Sequence, residues 1–289
     1  MKTLKLIVTT LLLTSLFGCQ CCKTNEQSCP KKTEKKIVLQ LYSVRDDIQK
    51  DFKGTIAAVA EMGFKDIEAA GYGDGMFYGL APEEFKAQLA AVGLNPLSSH
   101  TAYQLAKNVS ETDWDAVWNW WDVCIATHKA AGMEYLVFPW MEVPESLADL
   151  KVYCDYFNKI GEKCNQAGIL FGYHNHAFEF QEIEGVTMLD FMIQNTDPDK
   201  VFFQLDVYWA VMGLKSAVEY FKNYHGRFTM LHIKDVKELG ESGMVGFDAI
   251  YKYIDTAGAI YSVIEVEKYN YEPLVSVKMS FEYLKNAPF

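Results

Sequence analysis

Residues 168–180 read GILFGYHNHAFEF. An apolar run, Ile169, Leu170 and Phe171, stops abruptly at His174, Asn175 and His176, with Glu179 just beyond. Side chains alternate along a strand, so His174 and His176 leave the backbone on one face while Tyr173 and Asn175 leave on the other. Two imidazoles at the end of a buried strand are costly unless something pairs with them, which marks the spot as a candidate site. Taken alone, the pair reads equally well as two histidines hydrogen-bonded inside a core. The surrounding chain decides between the two.

Outward from this stretch, short apolar runs alternate with longer amphipathic ones. Strands are expected at 37–41, 64–68, 94–99 and 135–139, then at the opening stretch, and then at 201–205, 228–233 and 260–266. Helical spacing is expected at 52–62, 83–92, 114–131, 146–167, 188–194, 214–223, 247–256 and 274–285. Gly63 and Gly168 stop two of these helices, Pro82 opens another, and Gly71, Gly73 and Gly75 read as a loop. Eight strand–helix pairs in about 250 residues point to an α/β fold, a single-domain (β/α)8 TIM barrel. A doubly wound sheet would alternate too, but the chain has neither a GxGxxG nor a GxxxxGK phosphate loop.

The start of the chain has a different character. Lys2 and Lys5 precede an apolar run, residues 6–17, that is too short for a membrane span and has the form of a secretory signal. Leu16-Phe17-Gly18-Cys19 looks like a bacterial lipoprotein cleavage box, with lipid added to the Cys19 sulfur. An ordinary signal peptide with a chance cysteine and an uncleaved anchor are the alternatives. Residues 1–18 are therefore expected to be a signal peptide, 19–36 a lipidated, disordered tether, and 37–289 the barrel. That organisation implies a bacterial cell envelope protein, lipid-anchored and periplasmic or outer-membrane facing. Cys21, Cys22 and Cys29 fall in the tether. Cys124, Cys154 and Cys164 sit in helical segments without paired metal-ligand spacing and read as packed thiols. The net charge of −11 argues against nucleic acid and anionic lipid surfaces as partners, which leaves a small-molecule ligand.

Barrels carry their chemistry at the C-terminal ends of the strands. Here those ends read Tyr42 and Arg45, Glu68, His100, Trp140, His174 and His176, Asp206, His232 and Lys234, then Glu265 and Glu267. The strand beginnings are mostly apolar, and core stability gives no reason to load one end in this way. Strand parity puts His232 with Lys234 and Glu265 with Glu267. His174, Asp206, His232 and Glu265 would then converge from four successive strands. Two imidazoles and two carboxylates suit one divalent ion with open positions, Mn, Fe, Co, Ni or Zn rather than Ca. Taken singly, Asp206 also reads as a strand-end cap and His232 as a satisfied core imidazole.

These segments resemble the xylose isomerase-like barrel superfamily, commonly called sugar phosphate isomerases/epimerases. The motifs that carry the resemblance are LQLYSVRD at 39–46, GFKDIEAAGY at 63–72, YHNHAFEF at 173–180, QLDVYWA at 204–210, LHIKD at 231–235 and VIEVE at 263–267. The same superfamily holds keto-sugar 3-epimerases, inosose dehydratases and endonuclease IV-type nucleases. The resemblance runs from about residue 37 to the C-terminus and implies that Asp206, His232 and Glu265 are metal ligands. The family's fourth ligand is usually a Glu in an ENH-like pattern on the fifth strand, and His174 stands in that place here. The related epimerases use two metal-bound Glu residues as acid and base on opposite faces of the sugar, and one of that pair is absent. Glu265 is preferred as ligand, with Glu267 behind it or acting as base.

The expected function is a metal-dependent sugar isomerase or epimerase that abstracts a proton next to a carbonyl. Glu267, His176 or Lys234 would serve as the base. Tyr42, Arg45, Glu68, His100, Trp140 and Tyr208 are expected to bind substrate, with the aromatic residues stacking on a sugar ring. The missing carboxylate makes a lyase or hydratase acting on 3-keto sugars or glycosides the runner-up. A reading from another class is a non-catalytic sugar-binding barrel. A nuclease would need a three-metal cluster richer in ligands than these strand ends supply. Glu238 and Glu241 flank the glycines at 240 and 243, with no Arg cluster nearby, so a neutral or oxidised sugar is expected rather than a phosphate.

Overall fold

The computed structural model describes residues 35–289. The expected signal peptide, Cys19 and nearly all of the expected tether lie outside those residues. Eight parallel strands form a nearly closed barrel: β1 (Ile37–Gln40), β2 (Asp66–Ala69), β3 (Asn95–Ser99), β4 (Tyr135–Phe138), β5 (Leu170–His174), β6 (Val201–Asp206), β7 (Met230–Lys234) and β8 (Tyr261–Glu265). Strands β1 and β8 pair in parallel, and a bridge from His100 to Val137 joins the β3 and β4 staves. All eight expected strands are present, and so is the (β/α)8 TIM barrel they implied.

The alternation of each strand explains both layers of the core. Outward side chains meet the helices in one large apolar shell; Tyr173 on β5, for example, packs its ring against Phe138, Phe157 and Phe203. Inside the barrel a second, smaller cluster joins Val38, Leu97, Tyr135, Val137, Phe202, Met230 and Val263. Gly172 makes room for it, since a Cβ there would lie 2.5 Å from the Phe202 ring. Two residues further along the same strands the inward positions turn polar. Val38 gives way to Gln40, Gly172 to His174, Phe202 to Gln204 and then Asp206, Met230 to His232 and then Lys234, and Val263 to Glu265. The barrel is thus plugged with hydrocarbon below and loaded with polar groups at its C-terminal mouth.

Several helix boundaries follow the expected capping chemistry. Gly63 and Gly168 adopt left-handed φ values of 108° and 75° at the ends of Phe52–Met62 and Leu147–Ala167. Pro82 opens Pro82–Ala91. Three expectations change. The helix expected at 214–223 starts at Ala217, because the Ser216 hydroxyl caps it; Leu214 before it sits at φ 58° with 92% of its surface exposed. A separate short helix, Val207–Met212, precedes it and is capped by the Asp206 carboxylate. The expected 247–256 helix is broken at Tyr253 into Phe247–Lys252 and Ile254–Ala257. The glycines after β2 form a hairpin, Tyr72–Gly73 against Met76–Phe77, where a loop was expected. Cys124, Cys154 and Cys164 are buried free thiols. Among the described residues no helix is long and apolar enough to cross a membrane.

Candidate active site

The centre of the barrel mouth is a carboxylate with no exposed surface, Glu68 on β2. Its Oε1 accepts from Gln40 Nε2 at 2.8 Å and faces His232 Nε2 at 2.8 Å and His100 Nε2 at 3.0 Å. Its Oε2 accepts from the Ser98 hydroxyl at 2.7 Å and Gln204 Nε2 at 2.8 Å. Burial alone would raise the Glu68 carboxyl, but the His100 and His232 imidazoles hold it well below the usual carboxylate range. Glu68 was expected to bind substrate. In the structure both of its oxygens have protein partners, and through them it orients the groups around it.

His232 is the residue through which that order is passed on. With Nε2 turned to Glu68, its Nδ1 faces the other way, 3.4 Å from Glu265 Oε2 and 3.9 Å from Asp206 Oδ2. Neither His232 Nδ1 nor Asp206 Oδ2 has a hydrogen-bond partner, although both are buried. Burial pushes the His232 imidazole down, but Glu265 and Glu68 outweigh burial and raise it to about 10. Burial pushes Asp206 up to about 7. Glu265 also feels burial, yet the Lys234 ammonium and His232 keep it well below the carboxylate range. Asp206, His232 and Glu265 each offer a ligand atom, all within 4.8 Å of one another. A buried, unshared imidazole nitrogen between two carboxylates, with its far nitrogen on a third, is the donor set a divalent ion takes. The residues fit the expected metal.

His174, expected as the fourth ligand, is grouped with His100 and His232, while Asp206, His232 and Glu265 form the other group. His174 lies opposite Gln204 in the strand pairing, and Glu265 lies opposite Lys234. The His174 imidazole turns towards His100 and His232, with ring centroids 5.0 and 4.3 Å away. Burial, with His232 and His100 nearby, keeps His174 well below its ordinary value, and its Nδ1 has no partner.

His176 lies two residues beyond the end of β5, yet its ring centroid is 5.0 Å from that of His174, so the expected pair stays together. Asn175 between them is buried and accepts from the Asp206 N–H at 3.1 Å, tying the two strand ends together. Burial lowers His176 to about 4, which leaves a neutral imidazole with an unpartnered Nδ1. Its backbone N–H is held by Glu179 Oε2 at 2.7 Å, and the other Glu179 oxygen accepts from the Tyr173 hydroxyl.

Lys234 stands at the top of the polar column. Its ammonium is 2.9 Å from Glu265 Oε2 and 2.7 Å from the partly exposed Glu267, and it lies 5.1 Å over the Trp209 ring. Burial disfavours the charged form of Lys234, but Glu265, Asp206 and Glu267 together raise it above its ordinary value.

The expected substrate binders divide. His100 joins the inner network through Gln204 at 2.8 Å. Arg45 is held by the Tyr42 carbonyl and the Tyr269 hydroxyl at 2.9 and 3.0 Å, leaving Tyr42 exposed at the rim. Tyr208 is buried against Trp209. Trp140 is 45% exposed on the loop after β4. Gln40, Ser98, Gln204 and Trp209 escaped the sequence reading. Gln204 lies two residues before Asp206 on the same inward face, a signal that parity alone could have supplied.

An eight-stranded parallel barrel with a carboxylate–imidazole cluster at its C-terminal mouth is an enzyme-type scaffold, with the site where such barrels place it. The chain belongs to the xylose isomerase-like TIM barrel family, whose model matches residues 56–287. It is similar to the crystal structure of a sugar phosphate isomerase/epimerase from Parabacteroides distasonis ATCC 8503, with 33% identity and a TM-score of 0.83 over 90% of this chain and 96% of that one. At 15% identity it shares the fold of the E. coli 3-keto-D-glucoside 4-epimerase YcjR, with a TM-score of 0.65 over 88% and 100% of the chains. At 13% identity it shares the fold of the IolI protein, solved with a zinc atom, with a TM-score of 0.67 over 86% and 97%. No curated protein matches the chain.

Proposed function

We propose that the protein is a metal-dependent enzyme of the sugar isomerase/epimerase type, moving a proton on a carbon next to a carbonyl of a neutral sugar or keto-sugar. The observation that carries this reading is the Asp206–His232–Glu265 cluster, with its unshared Nδ1 and Oδ2 and with Glu68 fixing the orientation of His232. A divalent cation there would polarise a substrate carbonyl and lower the pKa of the adjacent C–H. Glu267 takes that proton. It sits 2.7 Å from the Lys234 ammonium and, unlike Glu265, it is partly open to solvent and so to substrate. Lys234 fixes the position of Glu267. Trp209 closes the site over Lys234.

A phosphate handle is not part of the proposal. After β7, where barrels often bind phosphate, the Gly240 N–H is spent on Asp235 Oδ2 at 3.0 Å, and Glu238 and Glu241 bind Asn270. The 2.7 Å Lys234–Glu267 pair favours one second reading. An acid and a base side by side suit loss or addition of a β-oxygen on one face of a 3-keto sugar, which is lyase or hydratase chemistry. The leader around Cys19 places the enzyme, in this proposal, on a lipid anchor in the bacterial envelope. Replacing Cys19→Ser should release it from the membrane fraction.

The test is metal-reconstituted protein incubated with keto-sugars in deuterated water and followed by NMR. Exchange of a carbon-bound proton, abolished by chelation, supports the proposal, and the product distinguishes epimerisation from elimination. Sugar binding without exchange in any keto-sugar would leave a binding barrel in its place.

A further inference from the structure

Beside the barrel mouth, the loops after β3 and β4 enclose a second cavity of ≈ 600 Å³, lined by Gln104, Lys107, Trp140, Glu142 and Glu145 among others. We propose that this cavity is a distal carbohydrate subsite that takes a neutral sugar ring joined to the ring at the metal cluster. The natural substrate is then a glycoside or oligosaccharide and not a free monosaccharide. This deepens the function proposed above and rests on it.

The position follows from strand register. Phe138, the last residue of β4, lies opposite Tyr173, the residue before His174, so the loop that carries Trp140 leaves the barrel next to the one that carries His176. A volume within the range of small-molecule sites, roughly 300–1,000 Å³, is enough for a sugar ring. Of the six tryptophans, Trp140 is the one whose ring meets no other aromatic ring or cation among the described residues; Trp114, Trp118, Trp120, Trp121 and Trp209 all do. A tryptophan with an open face on a cavity wall is a platform for the C–H face of a pyranose.

The polar groups of the wall match hydroxyls. Gln104 donates Nε2–H to the Trp140 carbonyl at 2.9 Å, which locks the two loops together. The Gln104 side chain thereby becomes part of the cavity lining, with its Oε1 buried and without a partner. Glu142 and Glu145 line the same cavity, joined by Glu111 and Asp149, against the single cation Lys107. Carboxylates accept from sugar hydroxyls and repel phosphate, sulfate and uronate groups. The chemistry of the wall therefore selects an uncharged or amino-bearing ring.

Saturation-transfer NMR with maltose, cellobiose, lactose and gentiobiose, alongside glucose and glucose 6-phosphate, tests the subsite directly. At least one neutral disaccharide should show contacts on both rings, and glucose 6-phosphate should show none. Trp140→Ala should weaken disaccharide binding at least 10-fold more than it weakens glucose binding, and Gln104→Ala should do so in the same direction. The distal-ring contacts should persist in Asp206→Asn. Equal losses for disaccharide and glucose, or no binding by any of the four disaccharides, would overturn the subsite. If the Trp140-dependent contacts hold while wild-type protein exchanges no proton in deuterated water, the catalytic reading falls and the subsite stands.

Discussion

His232 Nε2 lies 2.8 Å from Glu68 Oε1, and neither side chain has any exposed surface. This single contact sets the orientation of the imidazole, and with it the direction in which Nδ1 faces. Glu68 can hold that orientation because Gln40, Ser98 and Gln204 hold Glu68 in turn. In the function proposed above, Glu68 would be the outer carboxylate that orients a metal-binding histidine, anchoring the far nitrogen so that the near one faces the ion.

Removing the anchor should therefore be felt at the metal and in the fold. Glu68→Gln is expected to weaken zinc or manganese affinity by about 10–100-fold, measured by competition with a chelating dye. Glu68→Ala also strands the buried imidazoles and should cost about 3–5 kcal/mol in chemical denaturation. Unchanged affinity in the Gln variant would mean that His232 does not use Nδ1 as a ligand.

Asp206 carries two roles that one substitution separates. Its Oδ1 caps helix Val207–Met212 through the Trp209 N–H at 2.8 Å, while Oδ2 faces His232. Asparagine retains the cap and removes the charge. A divalent ion at 100 times its Kd should stabilise the wild type by about 2.7 kcal/mol. Asp206→Asn should fold with its helix intact and lose most of that metal-dependent rise in Tm.

Glu267→Gln should separate the base from the ligands. Because Glu267 stands outside the Asp206–His232–Glu265 group, metal content is expected to stay near the wild-type level. Proton exchange in deuterated water should fall by about 10²–10⁴-fold, the usual worth of a positioned base. Loss of metal together with activity would instead make Glu267 a ligand.

Glu179 predicts a pH dependence of stability. Burial raises its carboxyl to about 8 in the fold, against an ordinary value of 4.5. Between those values the folded chain holds a proton that the unfolded chain has released, so stability falls as pH rises from about 4.5 to 8. The contribution is fully present below that window and gone above it. Glu179→Gln, which cannot ionise, should flatten the curve across the window, as read from urea midpoints at each pH.

In helix Leu147–Ala167, a Cβ on Gly161 would lie 2.1 Å from the Lys200 carbonyl oxygen, just before β6. Alanine is the better helix former by about 1 kcal/mol, but the clash with backbone outweighs that gain. Gly161→Ala is expected to destabilise by about 1–3 kcal/mol, the range of an overpacked contact, in thermal or urea unfolding.

Much of this molecule is local, and local features are legible in a string of letters. The period of the apolar residues, the helix-stopping Gly63 and Gly168, and the polar residue at the end of nearly every strand were enough for the barrel and for the end that holds its site. The same parity found Asp206, His232, Lys234 and Glu265 on inward positions, because alternation is a property of one strand at a time. What it could not supply was which inward groups of different strands meet. His174 turns to His100 and His232, and Glu265 to Lys234 and His232, contacts that no single strand encodes. Burial was hidden for the same reason. Glu68 reads as an available carboxylate until side chains from four other strands, distant in sequence, close over both its oxygens.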